Sequence, residues 1–509
     1  MAEKKNFDSD FCGSLPLHHI NSIQDYGYLL VLDIKSLVFL QVSENVSDLL
    51  QRKLQEIIGS PLSEYMEQDD VIKIRDLVDK GIKDRVPLSL GFSESFITDT
   101  FNGLLHIKSD YLIIELEKAG TAVNSSFSDV YQKLKHISAT IDLANTVQQV
   151  CDIAIRELRR VSGFDGVLMY RFDEDWNGTV IAENKDDRLT AYFGQTFPAS
   201  DVPKQARQLY LKNPYRLIPD RNYQPVRLYP VINPITNAFI DLSDCNLRGV
   251  AAVHLEYMKN MGIEASMSIR VIYNDVLWGL ISCHHIGAKY IDFEVCSTFE
   301  WLSDVISNKI SLLINKEHYH IAQELQQKRV ALTDQVYSDG DLATGLLNHH
   351  DANIMSLFGA TGAVLVLNGK TESTGRVPGN DELENLLLWL EGKNLNEVFS
   401  TDYIAGLYTE AEEYADRVSG LIFIPINTNK ADFVVCFRPE LIEDISWGGN
   451  PNMAINFEKD SKVYHPRNSF ELWKQRVSQH SLPWTSQELE VAESLRNFLF
   501  EFRAKQLLQ

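Results

Sequence analysis

The chain has 509 residues, 44% of them hydrophobic, with 70 acidic and 48 basic side chains for a net charge of −22. That length predicts about three domains of roughly 100–200 residues each, and the ordinary charged fraction argues against long disordered stretches. The acidic excess argues against a nucleic-acid backbone or an anionic membrane as a partner, and no apolar run approaches the roughly 18 residues of a spanning helix. The opening "MAEKKNFDSDF" lacks the apolar stretch of a secretory signal, so a cytoplasmic location is expected. Cys12, Cys151, Cys245, Cys283, Cys296 and Cys436 form no C-x-x-C pair and no dense cluster, so neither a metal site nor a disulfide framework is expected.

In chain order, residues 26–42 read as two strands about an Asp-Ile-Lys-Ser turn, and the alternating "LHIKSDYLIIELEK" adds more strand before a connection near 120–126. A helix pattern, "TVQQVCDIAIRELRRVSGF", opens a second unit. It is followed by apolar runs on either side of Asn177-Gly178, and the unit closes with the hairpin "SIRVIYNDVLWGLISCHH". Residues 217–249 read as a long Pro/Asn/Asp-rich loop. From about 297 to 337 no Pro or Gly interrupts the helical spacing of Leu302, Ile306, Ile310 and Leu313, which predicts one long helix. A third unit repeats the plan of the second: an Asn368-Gly369 hairpin, a Pro-marked helix and the hairpin "GLIFIPINTNKADFVVCFRPE". Residues 441–482 read as an irregular excursion, and a helix with a Thr485 to Glu488 capping box closes the chain.

Two stretches could carry chemistry. In "FPASDVPKQARQLYLKNPYR", Pro203 suits a first helical turn and Asp201 sits where an N-cap would contribute about 0.5–2 kcal/mol. In "LRGVAAVHLEYMKNMGIEASMSIRV", Arg248, His254, Tyr257, Ser266 and Ser268 gather donors around an apolar segment. His254 and Tyr257 would share a helix face, and Ser266 and Ser268 a strand face. His284 and His285 fall on opposite strand faces, which argues against a shared zinc ion.

"PASDVP", "LRGVAAVHLEYMKNMG", "WGLISCHH", "WGG" at 447–449 and "PRNSF" at 466–470, in this order and spacing, closely resemble the photosensory core of the phytochromes, specifically bacteriophytochromes. The resemblance implies an α+β chain of three domains with antiparallel sheets, flanking helices and long connecting helices. These are a PAS domain at 1–126, a GAF domain at 127–315, and a PHY domain at 316–509 with a tongue at about 441–482. It implies one linear tetrapyrrole, a flat molecule with two propionates and several pyrrole N–H groups, which needs an apolar slot, cations or hydroxyls, and an acceptor. By resemblance, Arg216 and Arg248 bind one propionate, Ser266, Ser268 and His254 lie near the other, and the Asp201 backbone carbonyl faces the pyrrole N–H groups. Tyr170, Tyr192, Phe197, Tyr257 and Met267 would line the ring that turns and His284 would bond its carbonyl, with Val202 and Tyr210 also at the pocket.

The place where many relatives carry the attaching cysteine is Val253 here, so the resemblance points to Cys12 forming a thioether with biliverdin IXα. In the tongue it singles out Trp447, Gly448, Gly449, Pro466, Arg467 and Ser469. Asp201 would pair with Arg467 in the dark and with Ser469 after illumination, as a hairpin becomes a helix. The segment near Ile23 would pass through the loop of the second domain. A parallel homodimer is expected, with an output domain beyond residue 509, a histidine kinase or diguanylate cyclase, and no catalytic activity in the core itself. The alternative is a GAF-type regulatory module for a diffusible ligand such as a cyclic nucleotide.

Overall fold

The computed structural model describes residues 20–82, 85–93, 99–119, 127–349, 352–427, 431–451, 455–457, 464–466 and 469–508. Contacts group the chain into two compact units, Met1–Leu313 with Ser446–Trp473, and Ile314–Ile445 with Lys474–Gln509.

The first unit begins with an antiparallel sheet in the order Ser22–Ile23, Val226–Tyr229, Phe39–Ser43, Tyr28–Asp33, Tyr111–Lys118, Thr100–Ile107, Val86–Gly91. Strand alternation sends Leu30, Leu32, Leu112 and Ile114 into one core, and Leu29, Val31 and Ile113 into another with Leu242 and Leu247. The strand Val226–Tyr229 comes from the stretch that reads as a loop, because its pairing partners lie about 200 residues away and leave no local pattern. Ser22–Ile23 pairs with Val226–Arg227 on one edge. On the other, Gly249 N–H donates to Ser22 O (2.8 Å) and Gln24 N–H to Leu247 O (2.8 Å).

A second sheet runs Tyr215–Ile218, Ala265–Tyr273, Val276–His285, Gly166–Phe172, Gly178–Lys185, Thr196–Phe197, and continues into strands Glu443–Gly448 and Leu472–Val477. Helix Val147–Ser162 packs on strands Gly166–Phe172 and Gly178–Lys185 through Val150, Ala154, Ile155 and Leu158. Thr146 caps its start and Gly163, at φ 63°, ends it. The hairpin expected at Asn177-Gly178 turns one step earlier: Asp173 Oδ1 accepts from Asn177 N–H and Trp176 takes the left-handed conformation. Residues 441–482 are less irregular than expected. Besides the two strands just named, Ile455–Phe457 pairs with Tyr464–Pro466.

The second unit repeats the strand plan of that second sheet. Hairpins Gly362–Leu367/Lys370–Gly375 and Gly420–Asn427/Asp432–Arg438 pair through Gly362–Leu367 and Asp432–Arg438, with Phe399–Thr401 at the edge. Asn368 and Gly369 both have positive φ, as a two-residue hairpin turn requires. Ala363, Leu365, Val434 and Cys436 face one core with Leu495 and Phe502 of helix Ser486–Leu508, while Val364, Val435 and Phe437 face another with Leu386 and Leu390. The long helix runs Phe293–Asp339, 47 residues, the first part counted with one unit and the rest with the other.

Candidate functional site

The second sheet presents one face to a cavity that encloses about 1800 Å³ when its open mouth is counted. Register builds that face. Arg216 pairs with Ser268, Ser268 with Ser282 and Ser282 with Leu168, while Ile218 pairs with Ser266 and Ser266 with His284. Each of these residues lines the cavity because successive strand residues alternate sides. Helices Lys204–Lys212 and Ala252–Asn260 and the turn Ala199–Asp201 complete the lining.

At one end sit two guanidinium groups. Arg216 donates to Asn246 O (3.1 Å), Gly249 O (3.0 Å) and Arg248 O, and Arg248 donates to Ser243 O (3.5 Å). All of these acceptors are neutral carbonyls, and among the described residues no carboxylate forms an ion pair with either arginine. Burial lowers the pKa of both groups, and for Arg248 burial and then Arg216 bring it to about 9. Buried like charges lacking counterions are costly, so this end is built for an anion. His254 and His284 are pushed down to about 4, first by burial and then by Arg216 and His254 respectively, so both are neutral at pH 7.

The other end is aromatic. Tyr192 and Phe197 meet edge to face at 5.5 Å, and Tyr170 lies 6.0 Å from Phe197. A Cβ on Gly178 would come within 1.7 Å of Tyr170 Cε1, so glycine makes room for that ring. His254 and Tyr257 lie on one face of their helix with rings nearly parallel, 7° apart.

The Asp201 side chain does not cap helix Lys204–Lys212, whose start has no side-chain cap. Its Oδ2 accepts instead from Tyr257 O–H at 2.8 Å. Tyr257 in turn meets Phe470 edge-on at 5.1 Å. Nearby, Trp447 pairs in parallel with Thr196, Gly448 abuts the Phe197 ring, Gly449 holds φ 103°, and Pro466 is buried and lines the cavity.

Of the residues singled out in the sequence, Tyr170, Tyr192, Phe197, Asp201, Val202, Tyr210, Arg216, Arg248, His254, Tyr257, Ser266, Ser268 and His284 line this one cavity, as does Val253. Met267 is the exception. Between Ser266 and Ser268 in register, it pairs with Leu217 and Cys283 on the opposite face and is fully buried there. Ser469 is exposed, its Oγ accepting from Glu471 N–H at 3.3 Å. Cys12 and Arg467 lie outside the described residues. Ser282 was missed although it stands two residues before His284 on the same strand, the one local signal that could have found it. Ile20 and Phe470 reach the site only through tertiary contacts.

A sheet-floored cavity with paired cations at one end, aromatic rings at the other and an arm from late in the chain, grouped with the same compact unit, defines a ligand-binding module. Family models match in succession: the PAS fold over residues 12–119, the GAF domain over 146–310 and the phytochrome region over 325–507. The chain is 36% identical to cyanobacterial phytochrome B of Nostoc sp. over 96% of its own length and 65% of that protein's, so it spans about two thirds of this relative. A crystal structure of a bacteriophytochrome from the photosynthetic bacterium R. palustris superposes with a TM-score of 0.83 at 31% identity, covering 97% of this chain and 99% of that one. The phytochrome photosensory core module of Stigmatella aurantiaca gives 0.81 at 33% identity, covering 97% and 98%. The chain belongs to the phytochrome family and has the PAS-GAF-PHY organisation of a phytochrome photosensory core. Among the described residues no helix is long and apolar enough to cross a membrane.

Proposed function

We propose that the cavity holds one biliverdin IXα, with Arg216 and Arg248 on one propionate and Ser266, Ser268 and His254 at the other. The observation that carries this is the adjacent pair of guanidinium groups, one buried and one partly buried, that among the described residues bond only to neutral carbonyls, a setting suited to an anion. Charge-assisted bidentate contacts to a carboxylate are the strong bonds such a pair can make. His284, neutral through burial, and Asp201 both line the cavity; in this reading His284 would donate to a ring carbonyl and the Asp201 carbonyl would accept from pyrrole N–H groups.

Attachment through Cys12 is supported by elimination and reach. None of the five cysteines among the described residues lines the cavity, whereas Ile20 does, and eight residues extend at most about 27 Å. A thiolate adding across a pigment vinyl group gives a stable thioether.

When bound, the pigment supplies light-driven Z-to-E isomerisation. The chain supplies the coupling: Tyr257 links the cavity both to the Asp201 carboxylate and to Phe470 of the arm. The proposed switch exchanges the dark pairing of Asp201 with Arg467 for one with Ser469, as the arm's strands convert to helix and pull on the long helices. The Nostoc relative extends beyond the 65% matched by this chain, which supports an output region in the full-length protein; its kinase or cyclase type, a parallel homodimer and a cytoplasmic location are proposed from the family resemblance alone. A cyclic-nucleotide module is disfavoured by the phytochrome relatives.

The test is to add biliverdin to the purified chain. Red absorption that shifts reversibly under illumination, with colour surviving in denaturing gels for the parent and lost for Cys12→Ser, is expected. An unchanged free-pigment spectrum overturns the reading, and colour retained by Cys12→Ser overturns the attachment.

A further inference from the structure

Away from the cavity, strand Thr100–Ile107 meets the loop that precedes Arg248. His106, 2% exposed, uses Nε2 to bond Glu115 Oε1 at 2.7 Å, and the other Glu115 oxygen accepts from Leu247 N–H at 2.6 Å. The imidazole is thereby held in one orientation. Its Nδ1 makes no hydrogen bond and lies 3.8 Å from Asp244 Oδ2. Asp244 Oδ1 is buried and equally unpartnered, while Oδ2 accepts from Lys108. One donor atom each from His106, Asp244 and Cys245 falls within 4.8 Å of the others.

We propose that His106, Asp244 and Cys245 bind one divalent transition-metal ion of the zinc class. Imidazole nitrogen, carboxylate oxygen and thiolate sulfur together suit Zn2+, whose bonds of about 2.0–2.3 Å set tetrahedral ligands roughly 3.3–3.8 Å apart, a contraction of no more than about 1.5 Å from a cluster whose donor atoms already lie within 4.8 Å. Glu115 behind His106 is the carboxylate that steadies a metal-bound imidazole and fixes which nitrogen faces the ion. The ion would satisfy both orphaned atoms, Nδ1 and Oδ1, leaving Lys108 on Oδ2 and a fourth position for water. On binding, the Cys245 thiol becomes a thiolate and releases one proton to solvent; the metal is neither oxidised nor reduced. Such an ion would pin the loop carrying Asp244–Arg248 to the N-terminal sheet. His106 lies far in sequence from Asp244-Cys245, so the spacing of the cysteines holds no trace of the site.

The experiment needs no pigment and stands apart from the reading above. The full chain is stripped with a chelator, desalted, exposed to Zn2+ or Co2+ and desalted again. Expected are one Zn2+ per chain, a thiolate-to-cobalt charge-transfer band absent in Cys245→Ser, and a Tm that rises with Zn2+ and falls back with chelator only in the parent. Metal lost on desalting, or a band undiminished in Cys245→Ser, overturns the proposal. Should that variant fail to fold, X-ray absorption on the parent decides: one sulfur with nitrogen and oxygen neighbours supports the site, and a shell of nitrogen and oxygen alone overturns it.

Discussion

Arg248 illustrates how a single side chain records the chemistry of a ligand. It is 9% exposed, beside the partly buried guanidinium of Arg216, and its only described protein acceptor is a carbonyl at 3.5 Å. In a finished core such a charge would be paired or absent. In a Cys12→Ser background, where binding is reversible, Arg248→Met should weaken bilin binding by about 1.5–3 kcal/mol, roughly 10- to 150-fold, read by titrating absorbance. The pigment-free protein should not lose Tm, since a like-charge contact is relieved; a drop would mean that the arginine serves the fold and not the ligand.

Among the elements, the strand Gly166–Phe172 depends on a glycine in its neighbour, because the Tyr170 ring lies where a Gly178 side chain would be. Gly178→Ala should displace that ring at a cost of about 1–3 kcal/mol and lower Tm by a few degrees, with a shifted absorption maximum in the loaded protein. What the sequence disclosed at this level was local. The Thr485–Glu488 capping box forms as read, with Thr485 N–H on Glu488 Oε2 at 2.9 Å. The Asn368-Gly369 turn, the pairing of His254 with Tyr257 on one helix face, and the split of His284 from His285 onto opposite strand faces likewise follow from period and turn chemistry. What stayed hidden was long-range. Val226–Tyr229 becomes a strand only because the N-terminal sheet offers it an edge, and the strands within 441–482 form around sparse apolar residues with no strong alternation. Motif order placed Met267 beside two cavity serines, but alternation sends it to the far face. The site's membership came chiefly from resemblance, since its residues are scattered from Ile20 to Pro466 and no single motif would have assembled them.

At the scale of the molecule, a buried acid ties the N-terminal sheet to the segment that leads from strand Val276–His285 into the long helix. Glu117 accepts from Tyr290 O–H at 2.7 Å, and its pKa is raised from 4.5 to about 7, chiefly by burial. Below about pH 4.5 it is neutral folded or unfolded and its contribution is fully present. Between there and about pH 7 the unfolded chain ionises while the folded one resists, so stability falls as pH rises through this window and then levels off. The loss is of order 3 kcal/mol. Thermal melts of Glu117→Gln across that range should lack this slope; an unchanged slope would show that other groups set the pH response.

The Ser22–Ile23 strand, held between Val226–Arg227 and Arg248–Gly249, also dictates an order of events in synthesis. A ribosome that has delivered only the first two hundred or so residues has delivered a sheet whose Phe39–Ser43 edge has no neighbour. That edge stays open to any passing strand until the later segment emerges and seals it. Truncations ending before Val226 should therefore aggregate, whereas those ending after Gly249 should be free to close.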